Sequence, residues 1–229
     1  VPLPTCPMNR TPVYIVCSPR PRVGKTLIAR LLTEYLDLEN RYTTAFDINL
    51  NDPSLIDYLP KLTETASIDD TLGQMQLMDR LIVNDGAPKV IDLGFHAFDG
   101  FFKMAAEIGF TKEARRRGVD VAILFIPDRD RTSHRAWDML QDSFSDAAVV
   151  PVNNEQILLG EIPPWIGPAE LLDIAILPGF LKAYIDRNTF SFTSFLRTST
   201  DKSSELYQWI LNCFVRFREL GLKLMQHRL

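Results

Sequence analysis

Gly24, Lys25 and Thr26 stand in an order that phosphate chemistry uses. A lysine places a full positive charge near the β- and γ-phosphates of a nucleotide, and a threonine hydroxyl is a hard ligand suited to Mg2+. A glycine before them lets the main chain come close with no Cβ in the way. These roles need a frame. Val13 to Cys17 is an apolar run with the length and residue types of a buried strand. Ser18 to Val23 is a Pro- and Arg-rich turn, and Leu27, Ile28, Leu31 and Leu32 then recur at helical spacing. Strand, tight loop and helix together offer a bound anion the unpaired N–H groups of a helix N-terminus. The competing reading is a surface turn that starts an ordinary helix. The common pattern G-x-x-x-x-G-K-[ST] places its first glycine at position 19, where this chain has Pro19.

Lys89 to Gly94, K-V-I-D-L-G, carries the complementary group. An apolar strand ending in Asp92 puts a carboxylate at the C-terminal edge of a sheet, where it can hold the shell of Mg2+ directly or through water. Thr26 and Asp92 are the metal candidates on these grounds.

Ser18 to Thr26 resembles the deviant Walker A loop of the ParA/MinD family of ATPases, whose pattern is K-G-G-x-G-K-[ST]. Val23, Gly24, Lys25 and Thr26 match it, Arg20 falls on the signature lysine, and Pro21 and Arg22 replace two glycines. In the family that lysine reaches across a dimer interface to the partner's nucleotide. The resemblance implies that place for Arg20, and a guanidinium suits bidentate phosphate contact. Plain solvated charge on a loop is the alternative for Arg20 and Arg22. The resemblance further implies ATP/ADP and Mg2+ as ligands, with Arg22, Val23, Gly24, Lys25, Thr26 and Leu27 around the phosphates. It implies slow hydrolysis, a homodimer formed with nucleotide, and a protein partner that the sequence does not identify.

More site residues come with the same resemblance. The family carries an acidic D-x-D-P segment after its second strand, used to hold Mg2+ or the attacking water. Asp47 and Asp52–Pro53 resemble its two ends at a longer spacing, with Asn49 where one register would place the second aspartate. Asp52 is equally an N-cap for the turn from Ser54 to Leu59. Gly94 resembles a glycine that lets a switch loop approach the γ-phosphate. An asparagine after the strand Ala147–Val152 would contact the adenine edge, which makes Asn153 and Asn154 candidates. An amide offers the donor and acceptor adenine needs, although asparagine is also common where strands turn into loops. Leu177 to Phe180, including Pro178, resembles the rim that flanks the base. An alternative to the ATPase reading is a regulatory or scaffold module that binds nucleotide and has lost hydrolysis. A small-molecule kinase or biosynthetic P-loop enzyme would need a substrate pocket beyond the phosphates, for which no motif is present.

The elements behind these residues alternate. The first helix is expected to end near Asp37 or Leu38, followed by a strand over Thr43–Ile48. Ile68 to Val83 has a Met and Leu stripe on one helical face, read as core. Phe98 to Phe110 reads as a helix, Asp120 to Ile126 as a buried strand, and Leu172 to Leu177 as a last strand. Thr189 to Thr200 reads as a Ser-, Thr- and Phe-rich connection, and Leu206 to Gln226 as a long helix. Five or more strands alternating with helices predict an α/β fold: a doubly wound, mostly parallel sheet with helices on both faces and the ligand at the strands' C-terminal edge. At 229 residues the chain suits a single P-loop domain, with residues 1–10 as an N-terminal arm and 201–229 as a C-terminal helix packed on it.

The net charge of −4 argues against a wholly basic nucleic-acid-binding surface. A local patch from Arg216, Arg218, Lys223, His227 and Arg228 keeps DNA among the possible partners. Three cysteines with no C-x-x-C spacing favour a reducing compartment. No apolar run approaches a transmembrane span and the beginning lacks a signal-peptide pattern, so the expected location is cytoplasmic.

Overall fold

The computed structural model describes residues 10–40, 42–49 and 54–226. The elements run β1 (Thr11–Cys17), α1 (Lys25–Asn40), β2 (Thr44–Ile48), α2 (Leu55–Tyr58), β3 (Thr63–Thr65), α3 (Thr71–Leu81) and β4 (Lys89–Leu93). They continue with α4 (Phe98–Glu107), α5 (Phe110–Arg116), β5 (Val119–Phe125), α6 (Arg131–Ser143), β6 (Ala148–Asn154) and α7 (Glu155–Leu158). The chain then adds β7 (Leu172–Ile174), α8 (Gly179–Ile185), α9 (Phe192–Thr198) and α10 (Glu205–Gln226).

Among the described residues, seven strands form one sheet in the order β3-β2-β4-β1-β5-β6-β7. The strand pairings among the described residues are all parallel. A parallel sheet needs a crossover after each strand, and the crossovers cover both faces. The side-chain alternation of β1 shows the result. Tyr14 and Val16 enter a core shared with α1 and α10, while Val13, Ile15 and Cys17 enter a second core shared with α3, α4, α5 and α6. With both faces buried, the central strands read as continuous apolar runs. β6 changes partner along its length, pairing with β5 through Pro151 and with β7 from Val152 onward.

The structure corrects several sequence expectations. α3 begins at Thr71, where Asp70 caps it by accepting a hydrogen bond from the Gly73 amide at 2.7 Å. Of its apolar stripe only Leu77, Met78 and Leu81 are buried; Leu72 and Met75 are 65% and 59% exposed. Its neighbour β3 is a three-residue strand at the end of the sheet, so only the C-terminal turns of α3 have core to cover. The helix expected over Phe98–Phe110 ends at Glu107, and a separate helix, α5, starts at Phe110 after Gly109 takes φ of +63°. The last strand stops at Ile174. Thr189 to Thr200 contains α9, capped by Ser191, whose hydroxyl accepts from the Ser194 amide. Residues 1–9 of the expected N-terminal arm, Asp52 and the basic pair His227 and Arg228 lie outside the described residues. Arg10 is described and pairs with Asp120 at 3.0 Å.

Candidate functional site

A cleft of about 850 Å³ opens at the C-terminal edge of the sheet, over the start of α1. Its phosphate-type wall is Pro21, Arg22, Gly24, Lys25 and Thr26. Its other end has apolar sides from Ile157, Ile174, Leu177 and Trp209, with Tyr58, Gln156, Lys182 and Asp186 among the polar groups. Leu27 and Arg30 of α1 lie between the two ends.

The loop after β1 owes its path to two residues with positive φ, Arg22 at +59° and Gly24 at +90°. Glycine adopts that conformation without steric cost, whereas arginine does so at a cost of order 1–3 kcal/mol. Arg22 therefore holds its place in the loop under strain. The bond from the Ile28 amide to the Gly24 carbonyl, 3.1 Å, starts α1 directly after this turn. Lys25 is 8% exposed and its Nζ donates to the Arg20 carbonyl at 2.6 Å, so the loop wraps around it. Burial lowers the Lys25 pKa, and the nearby Asp92 opposes that shift.

Strand alternation places the carboxylates. Val90 belongs to the α1 side of the sheet and Ile91 to the other, so Asp92 returns to the α1 side. The Thr26 hydroxyl donates to Asp92 Oδ2 at 2.7 Å. Asp92 Oδ1 is buried with no hydrogen-bond partner among the described residues. Burial pushes the Asp92 carboxyl up to about 7; the Thr26 bond lowers it, Asp47 alongside raises it, and Lys25 lowers it. An orphaned buried carboxylate oxygen next to a threonine hydroxyl fits a hard cation. Among the described residues no group of three or more His, Cys, Asp or Glu side chains could hold a metal. Two protein oxygens with the remainder from phosphate and water is the arrangement Mg2+ favours.

Asp47 is the register partner of Asp92 and shares its side of the sheet. Its Oδ1 accepts from the Asn49 amide at 3.0 Å and its Oδ2 from the Ile56 amide at 3.1 Å. The carboxylate thus holds the connection from β2 to α2. Gly94 lets that connection pass close by, since a Cβ there would lie 2.9 Å from the Ile48 carbonyl. Asn49 lines the cleft.

The structure separates the paired candidates. Arg22 lines the cleft, whereas Arg20 ion-pairs with Asp130 at 2.9 Å and Asp128 at 3.6 Å on the loop before α6. Asn154 follows Val152 onto the α1 side and lines the cleft. Asn153 falls on the opposite face, where its Nδ2 donates to Asp173 at 2.9 Å. The expectation that Asn153 reaches the base is corrected by this two-residue period. Leu177 lines the apolar end of the cleft; Pro178 follows it and starts α8, accepting from the Lys182 amide at 2.9 Å.

Sequence reading missed Arg30. It is 2% exposed, donates through Nη1 to the Ile185 carbonyl at 2.7 Å and through Nη2 to the Phe190 carbonyl. Its guanidinium lies 4.5 Å from the ring centres of Tyr58 and Phe192. Glu34, one turn on, sits 3.6 Å from Arg30 Nε and accepts from the Ser191 hydroxyl at 2.7 Å and the Thr193 amide at 3.0 Å. An Arg and a Glu four apart among the apolar residues of α1 were the available signal. The carbonyls that Arg30 needs lie more than a hundred residues away and left no local trace.

No family model and no curated protein matches the chain. Solved structures do. A ParA family ATPase from Chlorobium tepidum TLS is 16% identical with a TM-score of 0.56, the match covering 90% of this chain and 98% of that one. A chain of the MinC:MinD cell division protein complex from Aquifex aeolicus is 15% identical with a TM-score of 0.47, over 91% and 95% of the two chains. At this identity the likeness is one of fold: the chain has the α/β P-loop fold of a ParA family ATPase.

Proposed function

We propose that this protein binds ATP with Mg2+ in the cleft, hydrolyses it slowly to ADP and phosphate, and couples the bound nucleotide to homodimerisation. The observation that carries the reading is the contact between Thr26, at the start of α1 beside Lys25, and Asp92, at the end of β4. Lys25 would exchange the Arg20 carbonyl for phosphate oxygens and stabilise the charge they carry. The first N–H groups of α1 would add to it. Thr26 and Asp92 would hold Mg2+, which when bound would neutralise charge on the β- and γ-phosphates. Leu27, Ile157, Leu177 and Trp209 would enclose the base, with Pro178 at the rim.

Arg20 is the proposed cation for a second subunit's nucleotide. To act there it must leave Asp128 and Asp130, so its pairing within one subunit opposes dimerisation until nucleotide supplies a stronger anion. ATP carries more terminal charge than ADP, and only such differential contacts shift an equilibrium. Sedimentation with ADP and with a non-hydrolysable ATP analogue tests this. Heavier particles are expected with the analogue, and Arg20→Ala should abolish the shift; a monomer in both states would refute the coupling.

Asp47 favours a second reading, a nucleotide-binding regulatory module without hydrolysis. Each of its oxygens accepts from one backbone amide, a structural task that supports this reading, and Asp52 is the other candidate to orient water. Single-turnover hydrolysis of bound ATP separates the two readings. An unidentified protein partner and a cytoplasmic location belong to the same proposal. No helix among the described residues is long and apolar enough to cross a membrane. DNA is the weakest partner on charge grounds, because Arg216 pairs with Glu219 at 3.1 Å and Lys223 pairs with Glu170. A salt-sensitive gel shift in the presence of ATP would support it.

A further inference from the structure

Asn154 is 5% exposed at the end of β6. Its Oδ1 accepts from the Gln156 amide at 3.2 Å, capping the short α7. Its Nδ2 donates to the Val23 carbonyl at 2.9 Å, across 131 residues of chain. The partner of that bond is the phosphate loop itself. Gly24 is fitted to the contact, because a Cβ there would lie 2.6 Å from Asn154 Nδ2, besides being strained at φ of +90°.

The Val23 carbonyl and the Gly24 N–H belong to one peptide plane. No cis peptide bond occurs among the described residues, and in a trans peptide the C=O and the following N–H point in opposite directions. Drawing the carbonyl onto Asn154 therefore turns the Gly24 N–H away from Asn154. It also keeps a partial negative charge committed where a free carbonyl would repel an anion in the same loop. One N–H and one oxygen lone pair of the Asn154 amide are committed to the main chain, which fixes the amide's orientation to the loop and to α7.

We infer that Asn154 is a positioning residue for the phosphate loop: it orients the Gly24 N–H toward bound phosphate and does not recognise the adenine edge. The inference rests on the cleft being a nucleotide site. Its consequence is that base discrimination falls to other polar groups of the lining, among them Tyr58, Gln156, Lys182 and Asp186.

Inorganic tripolyphosphate, which has no base, separates the roles. Calorimetry with Mg2+ compares ATP and tripolyphosphate on the wild type, Asn154→Ala and Asn154→Asp. The second variant keeps the shape and sets a carboxylate oxygen against the Val23 carbonyl. Both variants should weaken both ligands by a similar factor, roughly three- to tenfold for the loss of one buried hydrogen bond. The Gly24 amide proton should shift downfield on adding tripolyphosphate to the wild type and not to Asn154→Ala. That readout is local and would not follow from a general loss of stability in a protein that remains folded. Weakened ATP with unchanged tripolyphosphate would overturn the inference in favour of base recognition, and unchanged binding of both would overturn it outright. Wild-type protein that binds neither ligand would instead refute the nucleotide site on which the inference stands.

Discussion

The two ends of the cleft are built differently. At the loop end Gly24, Lys25 and Thr26 are consecutive, and two partners from elsewhere complete the constellation, Asp92 on the Thr26 hydroxyl and Asn154 on the Val23 carbonyl. At the apolar end the walls come from α1, α7, β7 and α10, and their positions depend on long-range ties. The Trp209 indole donates to the Ala175 carbonyl at 2.8 Å, and Arg30 holds the carbonyls of Ile185 and Phe190. A site assembled from neighbours in sequence survives as a motif. A site assembled from distant segments is held by packing and buried polar bonds, and its residues can change while the shape persists.

The largest effect should come from the ties behind the apolar end. Glu34→Ala takes from buried Arg30 its ion-pair partner and frees the Thr193 amide. Removing one partner of a buried ion pair costs about 3–5 kcal/mol. Denaturant unfolding should show that loss, and a loss below about 1 kcal/mol would mean that Arg30 is held by its carbonyls alone.

Lys25→Ala acts at the other end and should leave folding intact. ATP affinity should fall at least tenfold, about 1.4 kcal/mol. Unchanged calorimetric affinity in a folded variant would remove the loop end from the comparison.

Asp92→Asn sharpens the division further. It should reduce hydrolysis more than nucleotide binding, because a carboxylate that completes a metal shell matters most as charge develops in the reaction. Equal loss of both would mark Asp92 as structural. The free protein offers a second readout. Burial moves this carboxyl from 3.8 to about 7, so between those pH values the folded state keeps a proton that the unfolded chain gives up. Stability without nucleotide or metal should therefore fall as pH rises from about 4 to about 7. Asp92→Asn should flatten that slope in thermal melts recorded with EDTA.

The smallest effect concerns Arg22. Arg22→Gly relieves the left-handed strain at the expense of a more flexible unfolded chain, so stability should change by no more than about 1 kcal/mol. Nucleotide affinity should fall if the guanidinium serves the cleft, and remain level if it is solvated charge.

Parts of this molecule were legible in the sequence because their physics is local. The run Val13–Cys17 followed by Gly24-Lys25-Thr26 announces a strand, a turn and a helix start, since apolar periodicity and glycine conformations act over a few residues. Asp92 was legible because a buried strand that ends in a carboxylate is a local pattern, and the alternating βα order carried the parallel sheet. The tertiary structure decided what depends on the sheet as a whole. It assigned Asn154 to the cleft and Asn153 to the opposite face, because side chains alternate and only pairing with β7 fixes which of two adjacent asparagines faces α1. It exposed Leu72 and Met75, because a helical face is buried only where the sheet extends beneath it. It turned Arg20 onto Asp130 and Arg30 onto distant carbonyls, because a charge within a fold settles with whichever counter-groups the topology brings near, and the order of residues along the chain does not record that proximity.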